Sequence, residues 1–256
     1  MRIGWCTAIG NIGLVEALGF DYIECDAEAV AAMNGDDFSD ALRRVEASSL
    51  RAEAFCGMFS DGLRLTGDDC ISLDRLDEYV ARLYERLARL GGKVAVFGSG
   101  QARSAPAGFD HGRAFEQLTR CGRIMAARAA ENGLVIALEP LNPAESNLIN
   151  DSVKGAELVS AVASPAFRML LDYYHMYKSG EKVENAGRLG NSLVHIHIAH
   201  PLTRKNPLPN DGGGYDGFFA ALRSGGYDGR VTFEGFVDDP VSELPATLVY
   251  LRSLAE

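Results

Sequence analysis

Eight short apolar runs alternate along the chain with segments of helical periodicity. They are RIGWC (2–6), DYIEC (21–25), AEAFCGM (52–58), KVAVFGSG (93–100), LVIALEP (134–140), RMLLDYY (168–174), LVHIHIA (193–199) and RVTFEGF (230–236). Between the third and fourth, Leu73, Leu76, Tyr79, Val80, Leu83, Leu87 and Leu90 recur at three- and four-residue steps, and Phe115, Leu118, Ile124 and Met125 do so before the fifth. Strands that alternate with helices predict a parallel sheet, because parallel neighbours need a crossover long enough to hold a helix. Eight such units in 256 residues predict a closed (β/α)8 TIM barrel that takes up the whole chain, 1–256, as one domain. Glycines stand where helices should end in a left-handed residue: Gly19, Gly91 and Gly92, Gly133, Gly225 and Gly226.

Charge narrows the partners. A formal net charge of −10 without a Lys/Arg cluster argues against general nucleic-acid binding, so small molecules are the expected partners. No run approaches the length that spans a membrane, and the opening MRIGWCTAIG reads as a strand and turn rather than a secretory signal. A cytoplasmic protein is expected. The five cysteines, Cys6, Cys25, Cys56, Cys70 and Cys121, are scattered with no CxxC spacing and read as reduced thiols.

Four residues stand at the ends of the last four runs: Glu139 in VIALEP, Asp172 in MLLDYYH, His197 in VHIHIAH and Glu234 in VTFEGF. They are separated by 33, 25 and 37 residues, lengths that a strand, a helix and two loops fill. Each can therefore occupy the same end of successive strands. A charge in a buried strand is expensive unless compensated, and a divalent cation shared by three carboxylates and one imidazole compensates it. Three hard oxygens and one nitrogen suit Mn²⁺ first, with Mg²⁺, Co²⁺ and Zn²⁺ as alternatives. Such an ion would polarise a chelated hydroxy-carbonyl, stabilise the enediolate and acidify the adjacent C–H, and Glu139 and Glu234 could exchange that proton from opposite sides.

The segments LEPLN followed by Glu145 and Asn147, LLDYYHM, HIHIA and GYDGRVTFEGF resemble those of the xylose-isomerase-like sugar isomerase and epimerase superfamily, nearest its ketose 3-epimerase and hydroxypyruvate isomerase branches. The resemblance covers essentially the whole chain. It implies one divalent metal on Glu139, Asp172, His197 and Glu234, and the two glutamates as the acid/base pair. It also implies contacts from His175 and Glu145 to substrate, a small ketose or hydroxy-keto acid that reacts through a metal-stabilised cis-enediolate. In the epimerase branch an arginine shortly after the metal-binding histidine holds substrate. Arg204 lies near that place, but HPLTRKN replaces the usual Gly-Glu-containing turn, so Arg204 and Lys205 both remain candidates. A homodimer or homotetramer is the accompanying expectation.

Plainer readings stand beside these. Asp172 is well placed to N-cap a helix in DYYHM. Period-two alternation puts His195 and His197 on one face, and only position nearer the C-terminal end favours His197, leaving His195 packed or behind it. His111 and His200 read as loop residues, Gly98-Ser99-Gly100 as a turn, and Trp5 and Phe97 as core. Two other functions share the same site: a keto-inositol-type dehydratase, and a non-catalytic sugar-binding barrel. A further branch that cleaves DNA at abasic sites needs extra histidines on the third and fourth strands, where this chain has Ala54, Phe55, Cys56, Val96 and Phe97.

Overall fold

The computed structural model describes residues 1–60 and 62–256. The eight runs form parallel strands β1 (Arg2–Cys6), β2 (Tyr22–Asp26), β3 (Ala52–Cys56), β4 (Val94–Phe97), β5 (Val135–Leu138), β6 (Phe167–Asp172), β7 (Leu193–Ile198) and β8 (Arg230–Phe233). They pair in sequence order and close, β8 on β1, into one barrel. Helices pack outside it, as the alternation predicts.

Two packed regions hold the barrel. Inside it, Tyr22, Ala54, Val94, Val96, Ala137 and Leu170 form a small cluster. Outside it, a larger core joins the strands to the helices. The helix Leu73–Arg89 starts at Ser72, whose hydroxyl accepts from the Arg75 N–H, and buries Leu76, Val80, Leu83 and Leu87. Each of these aliphatic side chains contributes about 1.5–3 kcal/mol relative to exposure. The helix His111–Glu131 begins in the same way at Asp110.

The strands are shorter at their C-terminal ends than the apolar runs suggest. β5 stops at Leu138 and β8 at Phe233, so Glu139 and Glu234 are the first residues past the ladder. Each keeps one sheet-like bond, Glu139 N–H to Phe97 O and Glu234 N–H to Ile198 O, both 3.2 Å. Leaving the ladder there frees the next backbone to turn outward over the barrel mouth.

Of the boundary glycines, Gly19, Gly91, Gly133 and Gly226 have the left-handed φ. Gly92 and Gly225 serve close approach instead, since a Cβ would stand 2.7 Å from Leu87 O and 2.6 Å from Gly187 O respectively. Short helices such as Ala27–Ala32 and Gly100–Arg103 span too few residues to show a period in the sequence. All five cysteines are free. Trp5 packs on Phe20 and Phe97 on Phe59 and Phe167, both in the core. Among the described residues no helix is long and apolar enough to cross a membrane.

Candidate metal and proton-transfer site

The C-terminal ends of β5 to β8 bring Glu139, Asp172, His197 and Glu234 together. Each offers one donor atom, and these atoms lie within 4.8 Å of one another. Asp172 and His197 are direct partners in the β6–β7 register. His197 Nδ1 stands 3.1 Å from Glu139 Oε1 and 3.7 Å from Glu234 Oε2. The β4 loop closes over the cluster through Gly98, where a Cβ would collide with Glu139 Oε2.

Asp172 serves both readings of it. Its Oδ1 accepts from the Tyr174 N–H at 2.8 Å and caps the helix Tyr173–Lys178, while its Oδ2 is buried with no hydrogen-bond partner. An orphaned carboxylate oxygen in a buried cluster is rare in folded proteins and calls for a ligand. The charges agree. Burial pushes the Glu139 carboxyl up, but His197, with help from His175 and Arg204, brings it down to about 2. Burial and then the charge of Glu139 leave Asp172 raised, and burial with Glu139 and Asp172 does the same to Glu234. Burial opposes the charge on His197, yet Glu24, Glu234 and Glu139 hold it well above the ordinary histidine range. The three carboxylates share the positive charge of His197 and Arg204, and a divalent cation among them would satisfy the donor set.

The other expected site residues gather around this cluster. His175 Nδ1 accepts from the Asn142 N–H at 3.3 Å and its side-chain amide at 2.9 Å. Its Nε2 then carries the proton and points toward Asp172 Oδ2 at 3.6 Å and Glu145 Oε2 at 3.8 Å, too far to bond either. Arg204 Nη2 donates to Glu234 Oε2 at 2.7 Å, its Nη1 lies 3.5 Å from Glu145 Oε1, and its guanidinium sits over the Tyr174 ring. Lys205 points away, paired with Asp238 on the surface. Asn147 ties this loop to the preceding one through both backbone groups of Ala105. His200 fastens its own loop, its Nδ1 accepting from Leu202 and Thr203 N–H, and His111 is exposed at a helix start.

Glu24, not among the residues expected from the sequence, joins the site from below. It lies on β2 with no exposed surface, one oxygen 2.8 Å from His195 Nε2 and the other 2.9 Å from His197 Nε2. A carboxylate inside the run DYIEC carried the same signal as Glu139 in VIALEP, a charge where a buried strand should be apolar. Cys6 and Cys56 also approach the mouth, their sulfurs 3.5 Å apart and close to Glu234. The bond to Cys56 favours the Cys6 thiolate, but burial with Glu24 and Glu234 raises the thiol to about 11, which keeps it protonated.

The carboxylate–imidazole cluster thus lies at the C-terminal mouth of a closed parallel barrel, the face on which such barrels carry their active sites. Residues 12–254 match the family model described as xylose isomerase-like TIM barrel, and the chain belongs to that family. It is 27% identical over 244 residues, 92% of this chain and 81% of the relative, to an L-ribulose 3-epimerase of Methylomonas sp. strain DH-1. It is 25% identical over 255 residues, 93% of this chain and 92% of the relative, to a 3-dehydro-D-guloside 4-epimerase of Escherichia coli K12. A solved D-psicose 3-epimerase from Clostridium cellulolyticum H10, crystallised with D-tagatose, shares the fold with a TM-score of 0.84 at 20% identity, covering 100% of both chains.

Proposed function

We propose that the protein is a divalent-metal-dependent sugar epimerase or isomerase acting on a ketose, a keto-glycoside or a small hydroxy-keto acid. The observation that carries the reading is the buried cluster of Glu139, Asp172, His197 and Glu234, with Asp172 Oδ2 left without a partner. Sugar epimerases among the relatives support the substrate class. Glu139, Asp172, His197 and Glu234 would hold the ion, with Mn²⁺ as first choice. When bound, a divalent cation polarises the substrate carbonyl and stabilises negative charge on its oxygen.

The chain's own residues account for the rest. Glu139 and Glu234 leave strands separated by β6 and β7, so they approach the mouth from different sides of the barrel. One carboxylate removes the proton beside the carbonyl, and the other returns a proton to the opposite face of that carbon. His175 donates from Nε2 to a substrate oxygen in the gap between it and Glu145. Arg204 holds Glu234 in place and, with Glu145, offers contacts to further hydroxyls. Loss of a β-hydroxyl after the same first step would make the protein a keto-inositol-type dehydratase, which product analysis separates. The reading includes a cytoplasmic homodimer or homotetramer, checked by sedimentation.

The testing experiment is metal analysis together with turnover of the Glu139→Gln and Glu234→Gln proteins. Stoichiometric metal in the wild type and near-complete loss of turnover in both variants, with the fold intact, support the proposal. A metal-free wild type, or wild-type rates in both variants, refutes it.

A further inference from the structure

We infer that Glu24 is a positioning residue which fixes the His197 ring with Nδ1 turned toward the carboxylate cluster, and thereby sets the affinity of that cluster for a divalent cation. The inference rests on the metal reading of that site and concerns a residue on the opposite, β2, side of the barrel.

The geometry runs through one carboxylate. Glu24 and both histidines are fully buried, and Glu24 Oε1 and Oε2 each meet a different ring at Nε2, 2.9 Å for His197 and 2.8 Å for His195. A carboxylate oxygen only accepts, so both rings donate from Nε2. His197 meets a carboxylate at its other nitrogen too, Nδ1 standing 3.1 Å from Glu139 Oε1, so the metal-free ring donates from both. With Nε2–H held by Glu24, Nδ1 is the nitrogen left to face an ion in the cluster. Ligating histidines are held this way in metal sites, where a partner on the far nitrogen sets ring orientation and basicity.

His195 completes the support. Its Nδ1 has no partner, which costs less as a bare lone pair than as a stranded N–H, so the Nε2–H tautomer is again preferred. Its ring packs edge-on against His197, with centroids 5.1 Å apart. Thr232 Oγ1 stands 3.2 Å from His195 Nε2 and is hydrogen-bonded at 2.8 Å to the Tyr22 hydroxyl. A buried chain of polar groups thus runs from Tyr22 to His197. Glu24, His195 and His197 also lie close enough to suit an ion of their own. Both carboxylate oxygens and both Nε2 atoms are already spent on one another, however, and the one orphaned atom, His195 Nδ1, is on the far side of its ring. The trio therefore acts as a support for the cluster rather than as a second ion site.

The test is Mn²⁺ titration, followed by the EPR signal of the free ion, of the wild type, Glu24→Gln and His195→Gln. A glutamine amide has one accepting and one donating end, so it cannot accept from both rings and one histidine must turn or change tautomer. Glu24→Gln is expected to weaken Mn²⁺ binding by about 10- to 100-fold. His195→Gln, whose amide can still donate to Glu24, is expected to weaken it less than Glu24→Gln does. The second readout needs no variant to fold: ¹⁵N correlation spectra of the wild type loaded with one equivalent of diamagnetic Zn²⁺ should show His197 protonated at Nε2. Unchanged Mn²⁺ affinity in Glu24→Gln, or a His197 protonated at Nδ1 in the Zn²⁺-loaded wild type, overturns the inference and leaves the proposed function standing. A wild type that binds no divalent cation overturns both.

Discussion

Asp172→Asn separates the two roles that the Asp172 carboxylate performs. Oδ1 caps a helix at the Tyr174 N–H, which an asparagine oxygen does equally well. Oδ2 is buried without a partner, beside Glu139 and Glu234. An amide nitrogen placed there removes a like charge and can donate to those carboxylates. Relieving one unpaired buried polar group is worth about 1–3 kcal/mol. The metal-free variant should therefore melt higher than the wild type, at roughly 2–4 °C for each kcal/mol in a chain of this size. Mn²⁺ should reverse the order, because the wild type gains about 4.1 kcal/mol at a free concentration of 1,000 Kd while the variant, short of one anionic ligand, gains far less. Thermal melts of both proteins in EDTA and in excess Mn²⁺ make the comparison. A variant less stable than the wild type without metal would show that Asp172 is chiefly structural, and equal Mn²⁺ shifts in both would remove it from the ion's ligands.

Other expectations follow from the same geometry. Glu139→Gln and Glu234→Gln should each lower kcat by at least about 10²- to 10⁴-fold, measured at saturating Mn²⁺, with circular dichroism unchanged. Gly4→Ala should destabilise by about 1–3 kcal/mol in urea melts, since overpacking a dense interior forces neighbours off their rotamers. The new Cβ would press on the fully buried Tyr22 ring, with Cδ2 at 2.8 Å, and a neutral result would mean that Tyr22 can move. At the other end of the barrel, burial raises the Glu53 carboxyl but bonds from Arg2 and Arg230 bring it below its ordinary value. A depressed folded-state value contributes stability that is whole above the ordinary glutamate range and is lost as pH falls from there through the depressed value. Glu53→Gln should flatten the acid limb of the stability–pH curve, and an unchanged limb would show that the pair contributes nothing there.

The barrel was legible because its signals are repeated. Eight apolar runs and the glycines between them place every strand to within a few residues, and parallel pairing leaves few other ways to arrange them. Glu139, Asp172, His197 and Glu234 were visible as charges or imidazole at the ends of such runs, and the fold brings them together. Period two could not separate His195 from His197, since both face inward. Depth along the barrel does, because His197 pairs in register with Asp172 while His195 lies one layer below, opposite Leu170. Glu24 carried the same signal as Glu139, a charge in a buried run, but nothing local shows that two histidines more than a hundred and seventy residues away would meet it. The choice between Arg204 and Lys205 likewise needed three dimensions. Adjacent residues leave the chain in different directions, one to Glu234 and the other to Asp238.

Proton transfer at carbon beside a carbonyl leaves a direct trace in isotope exchange. The Mn²⁺-loaded protein would be incubated in D₂O with a panel of ketoses, keto-glycosides, inositol ketones and hydroxypyruvate, and followed by NMR. Deuterium is expected at the carbon next to the carbonyl of at least one compound, with an epimer or isomer as product and loss of both signals when the metal is removed. Metal-loaded protein that exchanges no proton in any of them, or exchange that persists unchanged in EDTA, would contradict metal-dependent proton transfer.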